Sequence, residues 1–343
     1  MNGRLVFSDG TICEGTSFGY EKSTAGEIAF STSMMGYPES LTDPSYKGQI
    51  LTLSYPLVGN YGVPKKELWE SGRIHISGLI VSHYNSHPSH FQSKMSLSEW
   101  LIAEKIPALE IPDTRFIVKK IRDEGAALVK IEFNKKIDFV DPNKDNLVAE
   151  VSTKKVEIIG NGKHRIILVD CGVKQNILRE LLKRDTTIIR VPWNYDFIEE
   201  GVEYDGVLVS NGPGDPKMVQ KTIEIVKKAL KKGKPLFGIC LGNQILALAS
   251  GGDTYKLSFG HRGQNQPCEL IGSDRCYITT QNHGFAIGKI PQGFKQWFIN
   301  SNDKTNEGII HKSLPFMSVQ FHPESAPGPF DTQWLFDTFI QMI

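Results

Sequence analysis

Two rhythms of apolar and polar positions divide the chain. From residue 1 to about 150, short apolar runs are broken by Gly, Pro, Ser and Asp, as in GRLVFSDGTICEG, GQILTLSYPLVGNYG and SGLIVSHY. Runs of this kind, bounded by turn residues, predict strands. Two helices are predicted among them. SLSEWLIAEKI has Ser96 or Ser98 as a cap and Pro107 as its stop, and a second helix follows Asp113 and ends at Gly125. The polar stretch DPNKDNLVAEVSTKKVEIIGNGKH then reads as a joint. The expected division is a first domain over 1–150, a linker over 151–164 and a second domain over 165–343.

From Arg165 the pattern becomes regular. RIILVD reads as a buried strand, and QNILRELLKRD places Ile177, Leu178, Leu181 and Leu182 on one helical face. TTIIRVP and DGVLVS are strands. KMVQKTIEIVKKALKKG is a helix with Val219, Ile223, Val226 and Leu230 at helical spacing, KPLFGI a strand, and NQILALASGG a helix closed by glycines. This alternation predicts a mostly parallel sheet flanked by helices, so the chain is α/β, with a smaller β-rich domain in front. The later segments CYITTQNHGFAI, FKQWFINSND and GIIHKSLPFMSVQFHPE return to strands, and TQWLFDTFIQMI is a closing amphipathic helix. The lysines of 217–234 flank an apolar stripe and read as its solvated face.

Composition narrows the function. Of 343 residues 40% are apolar, and 39 basic against 38 acidic side chains leave a net charge of +1. That suits a globular protein and gives no basic excess for nucleic acid. No apolar run approaches the ~18 residues of a membrane span. The start carries no apolar leader, and five scattered cysteines suggest a reducing compartment, so a cytoplasmic location is expected.

The candidate chemistry lies at a strand-to-helix corner. Gly238-Ile239-Cys240-Leu241-Gly242 has the form of a nucleophile elbow with Cys in place of Ser. Small residues let neighbouring chains approach, and the N-terminus of the following helix favours a thiolate, the nucleophilic form. A lone cysteine is more often a buried apolar filler, as Cys171 is expected to be, but the elbow reverses that for Cys240. A thiol nucleophile needs a base and a group to orient it. In extended chain, His322 and Glu324 of QFHPE would lie side by side across Pro323. A third element, SNGPGDP (210–216), comes directly after a strand and exposes backbone N–H groups able to hold an oxyanion. No phosphate-loop signature occurs anywhere. His83, His87 and His90 lack a Cys or carboxylate at ligand spacing, so no metal is expected.

Together, GICLGNQ, SNGPGDP and QFHPE resemble the class I (triad) glutamine amidotransferases, a flavodoxin-like family. FSTSMMGYPESLTDPSYKGQILTLSYPLVGNYG, PDTR, DCGVKQNILREL, FGHRGQNQPC and QNHGF extend the resemblance over nearly the whole chain, to the small, glutamine-hydrolysing subunits of carbamoyl-phosphate synthetases. The resemblance implies Cys240 as nucleophile, His322 as general base and Glu324 as its orienting partner. It implies Leu241 and Gly212 as oxyanion donors. Ser45, Gly212, Gly214, Leu241, Gln244, Asn282, Gly284 and Phe285 would bind L-glutamine. Asn243 departs from the family's usual His, and GHRGQNQP from GHHGGNHP.

The activity implied by the resemblance is hydrolysis of glutamine to glutamate and ammonia. The ammonia would go to a large subunit that makes carbamoyl phosphate from bicarbonate and ATP for arginine or pyrimidine synthesis. The small molecules handled here would be glutamine and water. No cofactor is expected in this chain; ATP and Mg belong to the large subunit, in a heterodimer or higher oligomer. The competing readings are a glutaminase for another synthetase, a stand-alone cysteine hydrolase, and a non-catalytic scaffold.

Overall fold

The computed structural model describes all residues, 1–343. The chain forms two units, Met1–Lys144 and Asp145–Ile343.

The first unit is a closed barrel of seven strands. These are β1 (Asn2–Phe7), β2 (Ile12–Ser17), β3 (Thr24–Ser31), β4 (Gln49–Leu53), β5 (Gly78–Val81), β6 (Ala108–Glu110) and β7 (Leu128–Glu132). They run in the order β1-β2-β6-β5-β4-β3-β7, with β7 pairing back onto β1. Neighbours from β3 to β6 are parallel and the others antiparallel. Closure leaves no open sheet edge. Both predicted helices are present. Ser96, not Ser98, caps Leu97–Ala103 in a reciprocal capping box with Glu99. This helix stops before Pro107. Lys105 adopts φ 59°, Ile106 N–H donates to the Leu101 carbonyl at 2.8 Å and Lys105 N–H to Ile102 at 3.1 Å, a Schellman closure. Asp113 caps Thr114–Glu124, and Gly125 ends it at φ 95°.

The second unit is built on a ten-stranded sheet. Its strands are β8 (Glu157–Ile159), β9 (His164–Asp170), β10 (Thr186–Pro192), β11 (Gly206–Val209), β12 (Leu236–Ile239), β13 (Asp253–Leu270), β14 (Cys276–Lys289), β15 (Phe294–Asn300), β16 (Asn306–His311) and β17 (Phe316–Val319). The order is β14-β13-β15-β16-β17-β12-β11-β9-β10-β8. Five central strands, β10-β9-β11-β12-β17, are parallel. Successive residues along them point to opposite faces. Ile167, Val169, Val207 and Val209 therefore enter one core, and Ile166, Leu168, Leu208 and Phe237 the other. Continuous apolar runs such as RIILV are what two covered faces demand.

The flanks differ from the expected parallel sheet. β13 to β16 pair antiparallel, because the short connections between β13 and β14 and between β16 and β17 leave no room for a crossover. Residues 151–164 are also not a simple linker. Within them β8 pairs antiparallel with β10, Ile159 opposite Ile188, and the short helix Val148–Val151 already belongs to the second unit. The stretch reads as polar because its three-residue strand, at the edge of the sheet with Ile158 69% exposed, is flanked by polar and charged residues. The predicted helix of 217–233 begins only at Gln220, after a 3₁₀ turn at Pro216–Met218. No helix is long and apolar enough to cross a membrane.

His75 is buried in the first unit with Nε2 3.0 Å from the Ser71 hydroxyl. Burial, then the Arg73 charge, push its pKa down to about 4. The same residue in the unfolded chain titrates near 6.5, so as pH falls the unfolded state takes up the proton first. Stability is complete above about pH 6.5 and declines toward pH 4. We expect His75→Gln to flatten this part of the curve in urea unfolding compared at about pH 7 and about pH 5.

Candidate active site

The corner after β12 carries Cys240. It is the N-cap of the helix Leu241–Ala249 and holds φ 55°, ψ −103°, a conformation rare for a residue with a side chain. Its N–H donates to the Val319 carbonyl at 2.9 Å, tying the elbow to β17. Two glycines make the turn possible. A Cβ on Gly242 would lie 2.1 Å from the Val209 carbonyl oxygen, and one on Gly238 2.5 Å from the Gly242 carbonyl oxygen. The thiol is buried and faces the Asn282 carbonyl on β14 at 3.7 Å.

His322 and Glu324 come after β17. The intervening chain is a turn at Pro323–Glu324, not the extended segment expected, yet it brings the side chains together. His322 Nδ1 lies 2.7 Å from Glu324 Oε1, and both residues are fully buried. Thr280 on β14 accepts from the His322 N–H at 2.9 Å. Glu324 has a second partner that sequence reasoning did not assign: Lys174 Nζ, 3.0 Å from the same oxygen and itself buried. Asn176 donates its side-chain amide to the Glu324 carbonyl.

The electrostatics result from these contacts. Burial, the largest single effect, works against the imidazolium of His322, and the Glu324 carboxylate and Cys240 outweigh it only together. Lys174 opposes, the Cys240 thiol assists, and the His322 pKa is pushed up to about 10. Burial would raise Glu324; Lys174 and then His322 reverse this and hold it at about 2. The pair is therefore an imidazolium on a carboxylate. By contrast Cys171 is fully buried, and desolvation then Asp170 drive its thiol far above the usual range, so it is an inert core thiol.

The loop after β11 completes the arrangement. Gly212 is pressed against neighbours: a Cβ there would lie 2.1 Å from the Cys171 carbonyl oxygen and 2.8 Å from Leu241 Cδ2. Gly212 thus packs directly against the Leu241 side chain. Leu241 N–H sits in the first helical turn, where the helix supplies no acceptor of its own. Gly214 takes φ 83° in the same loop. The Asn211 side-chain carbonyl accepts from Lys174 N–H at 3.1 Å, linking this loop to the ion pair.

Gln244, one turn into the helix, donates its side-chain amide to the Phe285 carbonyl at 2.8 Å and to Gln320 Oε1 at 3.0 Å. Asn243, in place of the usual His, donates to the same Gln320 oxygen at 3.1 Å and accepts from Ser318 Oγ at 2.8 Å. Asn282, Gly284 and Phe285 share β14. Ser45 belongs to the first unit, buried in the 3₁₀ turn Pro44–Tyr46, where Asp43 Oδ1 accepts its N–H at 2.9 Å. His83, His87 and His90 go to separate partners, Glu110, Ser86 and the Gln92 N–H. A metal-type donor set occurs elsewhere, at His261, His283 and Glu307.

A family model described as glutamine amidotransferase class-I matches residues 167–342. The chain belongs to the class-I glutamine amidotransferases. Its sheet and flanking helices have that family's flavodoxin-like α/β form, preceded by the β-rich first unit. A second model, described as carbamoyl-phosphate synthase small chain, CPSase domain, matches residues 5–131. The chain is 49% identical over 353 residues to a Mus musculus protein named carbamoyl-phosphate synthase (ammonia), mitochondrial, covering 99% of this chain and 23% of the relative. It is 46% identical over 386 residues to multifunctional protein URA2 of Saccharomyces cerevisiae, covering 99% and 17%. With multifunctional protein CAD of Squalus acanthias it shares 48% over 354 residues, covering 98% and 16%. The chain thus spans about a sixth to a quarter of the length of these relatives.

Lys174→Met keeps the length of the side chain and removes its charge. Breaking a buried ion pair from one side costs about 3–5 kcal/mol. We expect a loss of that order in urea unfolding for this amidotransferase unit, and none for Lys221→Met, whose 4.0 Å pair with Glu224 is exposed.

Proposed function

We propose that this amidotransferase is the glutamine-hydrolysing part of a carbamoyl-phosphate synthase. The observation that carries the reading is the buried array Lys174–Glu324–His322 ending beside Cys240 on a strained elbow. In the reaction, the Cys240 thiolate attacks the carboxamide carbon of glutamine and a C–S bond forms. Negative charge moves to the amide oxygen, which the N–H groups of Leu241 and Gly212 hold. One such donor is worth about 3–4 kcal/mol of barrier. The tetrahedral adduct collapses, the C–N bond breaks, and the His322 imidazolium gives its proton to the departing nitrogen, so ammonia leaves. A glutamyl thioester remains. Neutral His322 then takes a proton from water, the hydroxide attacks the thioester carbon, and the thiolate leaves as glutamate is released. Glu324 holds the imidazole through Nδ1 in both steps.

Ser45, Gly214, Gln244, Asn282, Gly284 and Phe285 are proposed to hold the substrate. The ammonia goes to a synthetase partner, as a heterodimer or larger assembly or as a further region of the same polypeptide. That partner makes carbamoyl phosphate from bicarbonate and ATP, with ATP and Mg bound on its side, for arginine or pyrimidine synthesis. The CPSase-domain match and the relatives' names support this placing. Five free cysteines suit a cytoplasmic setting.

A second reading has its own arm in the test, because the mouse relative's name specifies ammonia as the nitrogen source. In it, the unit would be retained without glutamine hydrolysis. The test is glutamate release and carbamoyl-phosphate formation by the protein with its synthetase partner, for wild type and Cys240→Ser. We expect glutamine-dependent synthesis in the wild type and its loss in the variant, by a factor of at least about 10³. Synthesis from added ammonia should persist in both. Wild-type synthesis from ammonia alone would overturn the glutaminase reading.

A further inference from the structure

Gln320 follows β17 directly and is fully buried, with its backbone N–H donating to the Glu307 carbonyl on β16 at 2.8 Å. Its side chain receives two residues from the first turn of the elbow helix, Asn243 and Gln244. All three polar side chains are buried, together with Ser318, two residues back on β17. Between Ser318 and Gln320, the Val319 carbonyl accepts from the Cys240 N–H at 2.9 Å. One strand end thus holds the elbow by its backbone and the following helical turn by its side chains.

The direction of every hydrogen bond in this group follows from one backbone carbonyl. The Phe285 carbonyl only accepts, so the Gln244 atom 2.8 Å from it is the amide nitrogen. An amide nitrogen only donates, so the Gln320 atom 3.0 Å from that nitrogen is its oxygen. The Asn243 atom 3.1 Å from the same oxygen is then a nitrogen, and the Asn243 oxygen accepts from Ser318 Oγ at 2.8 Å. Both hydrogens of the Gln244 amide are spent, one on Phe285 and one on Gln320. The Gln244 side-chain oxygen is therefore the atom left for a ligand. Glutamine carries N–H donors in both its ammonium and its carboxamide, which suits an acceptor there.

Gln320 itself is only half used. Its oxygen accepts twice, while its buried amide nitrogen finds no acceptor in the protein. A buried donor left unpaired is unfavourable, so packing alone gives no reason for an amide at this position. What the position uses is the oxygen. We propose that Gln320 is a positioning residue for glutamine: its side-chain oxygen holds the Gln244 amide and so presents the Gln244 oxygen to the substrate. Asn243 holds the same oxygen from the adjacent helical position and is itself held by Ser318. The proposal rests on the glutaminase reading above. The requirement at position 320 is an acceptor at this reach. Glutamate keeps the oxygen and gives up only the nitrogen that has no partner. Leucine fills much of the volume and accepts nothing.

The test uses the full protein with its synthetase partner, and reads KM for glutamine, kcat and the melting temperature. For Gln320→Leu we expect KM to rise at least about tenfold with kcat within about threefold, the signature of lost substrate binding. Gln320→Glu should keep KM within about threefold of the wild type. Because Gln320 acts through Gln244, adding Gln320→Leu to Gln244→Leu should raise KM by no more than about a further twofold, whereas independent effects multiply. Should the leucine variant not fold, Gln320→Asn withdraws the amide by one methylene, should raise KM in the same direction, and takes its place in both comparisons. Folded leucine or asparagine variants with unchanged KM overturn the proposal. So does a loss of kcat and melting temperature at constant KM, which marks a purely structural role. Effects at 320 and 244 that multiply overturn it as well. A glutamate variant as impaired as leucine overturns the acceptor requirement and the proposal with it. A wild-type protein that hydrolyses no glutamine overturns both this proposal and the glutaminase reading, whereas the other outcomes bear on this one alone.

Discussion

Glu324 is a fully buried carboxylate, and the surrounding architecture answers the cost of putting it there. An isolated charge in an apolar interior is unfavourable by far more than the net stability of a domain. Two cationic partners remove that cost, and each comes from a different part of the sheet. Lys174 leads off the C-terminal end of β9, and His322 comes just after β17. The strands between them, β11 and β12, bring the glycine loop and the elbow to the same end. Side chains far apart in sequence meet because a parallel sheet puts all its C-terminal strand ends on one edge.

The antiparallel flank serves this edge too. β14 supplies the Asn282 carbonyl to Cys240, the Thr280 carbonyl to the His322 backbone and the Phe285 carbonyl to Gln244. Backbone acceptors have fixed direction and carry no net charge. They orient the Cys240 thiol, the His322 backbone and the Gln244 amide without adding a further ion beside Lys174, Glu324 and His322. A wholly parallel sheet with helices on both faces would have no such ribbon running past the elbow.

Much of this was legible in the chain. Continuous apolar runs identified the central strands because both faces of each strand are covered. The G-x-C-x-G spacing located the strained elbow at Cys240 because only glycine tolerates a carbonyl oxygen 2.1 Å from where a Cβ would be. The mixed character of the sheet was not legible, because strand direction depends on connection geometry and not on residue pattern. Nor was β8, whose outer residues face solvent and read as linker. Lys174 stood inside a recognisable segment, DCGVKQN, but a lysine near a strand end is ordinarily a surface residue. Only burial beside Glu324 gives it meaning. The adjacency of His322 and Glu324 was anticipated for the wrong local reason, since a turn, not an extended strand, brings them together.

Lys174 also tempers the chemistry. A histidine paired with a buried carboxylate alone would bind its proton so firmly that giving it up would limit the cycle. A base that alternately donates and accepts works best when its affinity lies near the working pH. Lys174 pulls the Glu324 charge toward itself and opposes the imidazolium, so both of its effects lower the hold of Glu324 on the His322 proton. In the proposed reaction the thiolate is consumed as the thioester forms, and the Cys240 contribution to the high His322 pKa is then lost as well. On that proposal the imidazolium is most acidic at the moment the departing nitrogen must take its proton. The sequence of charges at the site, and not a single residue's fixed strength, sets the direction of proton transfer.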